Sequence, residues 1–164
     1  MIVVADTSPL NYLIQIECEA ILSVLYKDVL VPKLVLAELC HPEAPAAIHK
    51  WLLDIPRWIE VRQTISLPDS NLAFLGPGER EAIQLAQEQH ADLLLIDERK
   101  GRAEARRRGL ATTGTLGVLL AAGERGLVDP AASYQRLSSE TTFRVTPELQ
   151  EVFLQRVREF RKKT

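Results

Sequence analysis

Apolar and polar positions alternate between two kinds of block along this chain. Residues 2–5 (IVVA) form a continuous apolar run rich in β-branched side chains and closed by Asp6-Thr7-Ser8-Pro9. Such a run predicts a short strand buried on both faces. Residues 28–32 (DVLVP) predict a second strand ended by Pro32, and 58–61 (WIEV) a further strand or edge piece. DLLLID, residues 92–97, predicts another buried strand.

Between these runs the period changes to that of a helix. From Pro9 to Leu25, leucine and isoleucine recur every three or four positions, with a break near Glu17. Residues 33–40 and 44–53 predict two short helices, and 66–77 a short helix plus a loop. Gly78 opens EREAIQLAQEQH, and 98–109 form a charged helix stopped by Gly109. LATTG leads into the helix TLGVLLAAGERG, and 130–137 follow. Thr146 is an N-cap with Pro147 at the first helical position of a last amphipathic helix. On it Leu149, Val152, Phe153, Val157 and Phe160 share a face.

Strands alternating with helices predict an α/β fold with a mainly parallel sheet. In such folds ligands sit outside the carboxyl ends of the strands. Both of the most apolar strands end in aspartate, Asp6 and Asp97, so parallel neighbours would carry both acids on one edge of the sheet.

Composition narrows the class without fixing it. The 164 residues suffice for one domain that buries roughly 70% of its unfolded surface. They are 46% hydrophobic and 26% charged, ordinary for a globular chain. No repeat, low-complexity tract or Gly/Ser linker divides them. The net charge of −2 means that a nucleic-acid partner would have to be met by a local basic patch. Cys18 and Cys40 read as two free thiols in a reducing compartment, and no apolar run approaches a membrane span. With no basic leader before the first strand, the expected location is cytoplasmic.

Two more carboxylates occupy unusual places. PKLVLAEL is apolar at nearly every position, which predicts a helix buried most of the way round, with Glu38 on the stripe of Leu34 and Val35. An unpaired buried charge costs several kcal/mol, so Glu38 either reaches water at a helix end or sits in a polar pocket. Glu79 precedes Ala82, Ile83 and Ala86 on the inward face of its helix, whereas Glu81 shares a more mixed stripe with Leu85 and Glu88. Each acid has a structural explanation: Asp6 and Asp97 as helix caps, Glu79 as a first-turn acid favoured by the helix dipole, Glu38 as an arginine partner. Four acids on one sheet edge would nevertheless repel unless a cation sat among them, and hard Mg²⁺ or Mn²⁺ ions want such oxygen ligands.

The order of a strand ending in Asp-Thr-Ser, a helix with Ala-Glu-Leu, an acid opening an Ala-Ile-rich helix and a strand ending in Asp resembles a PIN domain. This is the fold of many metal-dependent ribonucleases, including VapC-type toxins of toxin–antitoxin pairs. The resemblance implies a three-layer α/β/α fold around a twisted, mainly parallel sheet. It covers most of residues 1–125 as a PIN-like nuclease domain, with 126–164 a C-terminal helical extension packed on the same domain. It implies that Asp6, Glu38, Glu79 and Asp97 are the catalytic, metal-holding acids, with Thr7 or Ser8 at the hydroxyl position after the first. Position 79 departs from the family's usual aspartate by one methylene. GEREAI, LLIDERKGR and TGTLGVLL together resemble an uncharacterised PIN-like subgroup. A homodimer through the helices of residues 9–53, an RNA substrate and a small antitoxin are the partners implied.

Arg99, Lys100 and Arg102 follow Asp97 closely enough to serve as substrate contacts, since a phosphate backbone needs local positive charge. Arg106, Arg107 and Arg108 read as a solvated face, and so does the basic cluster of the tail. Cys40-His41 with His49 lacks zinc-ligand spacing, and Thr113-Gly114-Thr115 lacks the lysine of a phosphate loop but has hydroxyls able to reach the site edge. A haloacid-dehalogenase-type phosphotransferase would need an acid where Ser8 stands, and a receiver domain would need paired acids near the first strand. The alternative to an enzyme is a PIN-like module that binds RNA or an antitoxin without cutting.

Overall fold

The apolar runs become the strands of one sheet: β1 (Val3–Ala5), β2 (Val29–Pro32), β3 (Ile59–Arg62) and β4 (Leu93–Leu95), with a two-residue β5 (Thr112–Thr113). The computed structural model describes residues 1–163. The strand order is β3-β2-β1-β4-β5 and every neighbouring pair is parallel. The sheet is therefore wholly rather than mainly parallel. β5 was not among the predicted strands, because two threonines make no apolar run.

Nine helices are described: α1 (Thr7–Gln15), α2 (Ile21–Tyr26), α3 (Lys33–Leu39), α4 (Ala46–Leu52), α5 (Pro77–Glu88), α6 (Arg99–Arg107), α7 (Thr115–Glu124), α8 (Pro130–Glu140) and α9 (Pro147–Lys163). The break foreseen near Glu17 is real, with that residue at φ +57°. Residues 66–77 condense to a 3-10 turn at Ser70–Leu72, capped by the Asp69 carboxylate on the Asn71 amide. The buried Gln84 side chain donates to the Ser66 and Leu67 carbonyls and ties this loop to α5.

Side-chain alternation splits the core into two layers. Val3, Ala5, Val29, Val31 and Leu95 face one cluster, completed by α1, α2, α3, α4, α7, α8 and α9. Val4, Leu30, Leu94 and Ile96 face the other, covered by Ala82, Ile83, Leu85 and Ala86 of α5 and Ala105 of α6. This is the three-layer α/β/α arrangement. The helices α8 and α9 join the first cluster through Leu137, Phe153 and Val157. The Thr146 hydroxyl accepts the Leu149 amide at the start of α9, as a cap should.

Two expectations need correction. The helix α3 is not buried most of the way round: it reaches the core through Val35 and Leu39, while Leu34 is 44% exposed and Glu38 lies outside. Seven residues at the end of a sheet offer one stripe to the core, whatever the rest of the helix contains. On α9 only Phe153 and Val157 are buried; Leu149 and Val152 point outward, Val152 being 60% exposed. The apolar face shared in the sequence is therefore split, its N-terminal part exposed and its middle in the core.

Candidate active site

Strand order decides which chain ends meet. From β1 the chain builds β2 and β3 on one side, then returns to place β4 on the other, so the order reverses between β1 and β4. Crevices at such reversals, beyond the carboxyl ends of the strands, are where open α/β sheets hold ligands. Ala5 pairs with Leu95 in this register, and the Asp6 amide donates to the Leu95 carbonyl at 2.9 Å. Asp6 follows β1 directly, and Asp97 lies two residues beyond β4.

Asp6 occupies the N-cap position of α1 but makes no side-chain capping bond. It is 3% exposed, and its Oδ1 is buried without a hydrogen-bond partner. Among the described residues the only other such side-chain atom is Trp51 Nε1, a neutral donor. Burial pushes the Asp6 carboxyl up to about 7, opposed by the Thr7 amide and reinforced by the charges of Glu79, Glu38 and Asp97. The other three acids are therefore close enough to be felt.

Each neighbour is held by donors of its own. Asp97 accepts the Thr115 amide at Oδ1 and the Thr115 hydroxyl at Oδ2, both at 2.7 Å. It thereby caps α7, whose own N-cap residue, Gly114, has no side chain to do so. Burial raises the Asp97 pKa, and the Thr115 bonds and the Arg102 charge pull it back. Glu38 accepts the Thr7 hydroxyl and, at 2.9 Å, the Gly78 amide. Glu79, in the first turn of α5, is half-buried; burial, Glu98 and Glu38 raise its pKa in that order. Glu81 serves a different element: its carboxylate accepts the Leu34 amide at 2.7 Å and caps α3 from outside.

Glycines shape the pocket by what they lack. A Cβ on Gly78 would stand 2.5 Å from Glu38 Oε2, and one on Gly114 would stand 2.6 Å from Asp97 Oδ1. On Gly101 it would meet Ile96 Cδ1 at 2.6 Å and Glu79 Oε2 at 3.2 Å. The carboxylates lie against bare backbone at these points.

A family model described as a PIN domain matches residues 2–159. The chain belongs to the PIN-domain family. PIN domains are generally nucleases, and their family match here runs through α8 and into α9. No curated protein and no solved structure matches the chain.

All-oxygen donors suit a hard divalent ion, and the orphaned Oδ1 of Asp6 gives such an ion a buried anionic atom to meet. As the side chains stand, no three His, Cys, Asp or Glu groups among the described residues are gathered closely enough to chelate one ion. The bonds to Thr7, Gly78 and Thr115 keep Glu38 and Asp97 turned to those donors. The residue set of this PIN domain therefore fits a metal chemically, while its carboxylates stand apart on separate donors.

The basic residues sort by their partners. Arg102, at the site end of α6, acts electrostatically on Asp97, while Arg99 and Lys100 are exposed in the first turn of that helix. Arg107 bonds Glu104, and Arg106 bonds Thr112. Arg108 is not on a solvated face: 12% exposed in its side chain, it bridges Glu104, Asp69 and Gln87. Of the two hydroxyls after Asp6, Thr7 makes the bond to Glu38, and Ser8 stands half-buried beside it. Thr115 is the residue sequence reasoning undervalued; its signal was a hydroxyl straight after glycine at the head of an apolar helix.

Proposed function

We propose that this PIN domain is an Mg²⁺- or Mn²⁺-dependent endoribonuclease, the toxin of a toxin–antitoxin pair or a related RNA-processing enzyme. The observation that carries the reading is the buried, unpartnered Oδ1 of Asp6 amid three further acids at the reversal of strand order. A buried carboxylate oxygen with no donor is a standing cost, and a cation relieves it.

Asp6, Glu38, Glu79 and Asp97 are the residues that would hold the ion. When bound, it supplies an acidified water as nucleophile and positive charge at the phosphate. The chain's own groups do the rest. Thr7 and the Gly78 amide orient Glu38, and Thr115 orients Asp97. Arg99, Lys100 and Arg102, in the N-terminal part of α6, would attract the RNA backbone. Exposed Val24, Leu34 and Leu53 on the 9–53 segment would serve a homodimer or an antitoxin.

The test is cleavage of a fluorophore–quencher RNA in Mn²⁺ or Mg²⁺, abolished by chelator and by Asp6→Asn. A second reading, a module that binds RNA without cutting it, draws on the fact that the acids are not gathered into a chelate. RNA binding without any cleavage in either ion would favour it.

A further inference from the structure

Beside the acidic pocket, and sharing Thr7 and Glu38 with it, lies a cleft of about 220 Å³. Its near wall is Thr7 and Glu38, and its far wall is Pro45 and Ile48 at the head of α4. Asn11 and His41 line it between them. We propose that this cleft receives a nucleobase of single-stranded RNA next to the scissile phosphate, and that Asn11 and His41 select a carbonyl-bearing base, guanine, uracil or cytosine, over adenine. The proposal rests on the nuclease reading for the position of the phosphate.

Thr7 and Asn11 stand one turn apart on the same face of α1, so the cleft continues directly from the residue that holds Glu38. Asn11 Oδ1 accepts the Gln15 side-chain amide at 2.9 Å, which leaves the Asn11 NH₂ to donate. His41 accepts the Glu43 backbone amide at Nδ1, 3.1 Å away, so the neutral ring carries its proton on Nε2 and is a second donor. The loop that presents it is tied in place: the Ala44 amide donates to the His41 carbonyl at 3.0 Å, and His49 Nε2 meets that carbonyl at 3.1 Å.

Adenine is the one base without a carbonyl. Its Watson–Crick and Hoogsteen edges each set the amine donor beside a single ring nitrogen, so two protein donors meet only one acceptor there, whereas guanine, cytosine and uracil each offer two. Pro45, exposed at the head of α4, supplies an apolar surface for the face of the ring. Single-stranded RNA is recognised in this manner, by unstacked bases held on an apolar surface and read along their edges.

The experiment uses the full chain with Ca²⁺ and a set of fluorescein-labelled pentanucleotide RNAs that vary one position at a time. Binding is read by anisotropy, and cleavage of the same RNAs in Mn²⁺ is scored separately. At one position guanine, uracil and cytosine should bind about tenfold more tightly than adenine, within the range a two-donor contact supplies. Asn11→Ala and His41→Ala should each reduce that preference to within about twofold. Thermal melting of both variants confirms that they fold. No base preference at any position, a preference for adenine, or one that survives both substitutions would overturn the proposal. Absence of cleavage in Mn²⁺ with the preference intact would instead remove the nuclease reading and leave a base-selective binding site.

Discussion

Replacing Asp6 by asparagine removes a charge and changes almost no volume, so its effect on stability isolates the electrostatics of the pocket. The Asp6 carboxyl moves from 3.8 to about 7 on folding. Roughly three pKa units at about 1.4 kcal/mol each give an upper bound of about 4 kcal/mol for keeping Asp6 ionised. Water entry and side-chain relaxation reduce this, so about 2 kcal/mol is the working figure. Its sign follows from proton counting. Between 3.8 and about 7 the folded state holds a proton on Asp6 that the unfolded state has released. Stability therefore falls as pH rises through that window and stays low above it. Urea denaturation in EDTA at pH 3.5, 7 and 8.5 should show the two proteins nearly equal at the lowest pH, which lies below the unfolded-state value of 3.8. The Asn variant should be about 2 kcal/mol more stable at the highest. The repulsion of Asp6 by Glu79, Glu38 and Asp97 is part of the charge energy that the substitution removes, so the difference between the two curves reports the pocket around Asp6. Adding Mn²⁺ should raise the wild-type midpoint, more at pH 8.5 than at pH 5, because the ion competes with the proton. A stability difference that does not grow with pH would refute the claim that Asp6 is buried without a counter-charge.

Further outcomes follow from other contacts. Gly78→Ala forces a methyl into the Glu38 carboxylate and should abolish cleavage while costing about 1–3 kcal/mol, seen by comparing the RNA assay with a urea titration. Thr115→Val deletes the hydroxyl bond to Asp97; about 1 kcal/mol of stability should go, and the acidic limb of the pH–rate profile should move to higher pH as Asp97 loses a bond that favours its charge. Arg102→Ala should weaken RNA binding and lower the salt dependence by about one counterion, measured by anisotropy across KCl concentrations. Arg108→Ala should leave that slope alone and lower the melting midpoint instead, since its partners are Glu104 and Asp69.

The strands β1, β2 and β4 were legible because a buried parallel strand reads as an uninterrupted apolar run, and the two acids after β1 and β4 could be placed on one edge from that alone. The pair β4–β5 was not legible, since Thr112-Thr113 has neither length nor apolar content. Without β5 in view, the cap that Thr115 receives from Asp97 had no visible reason. Glu79 was separated from Glu81 by counting the inward stripe of α5, and the separation holds because Glu81 serves α3. Where counting failed, on α3 and at the start of α9, the error was to treat apolar content as burial. Leu34 and Val152 are 44% and 60% exposed although each lies in an apolar stretch. The Asn11–His41 cleft had no signal in the chain, as its walls come from segments that share no period.

The Thr115 amide points straight at a carboxylate oxygen 2.7 Å away. A proton so placed resonates well downfield of ordinary amides, and its frequency follows the charge on that oxygen. The molecule thus carries its own indicator: one peak in a nitrogen–proton spectrum registers whether Asp97 is bare, protonated or engaged by an ion, with neither substrate nor label required.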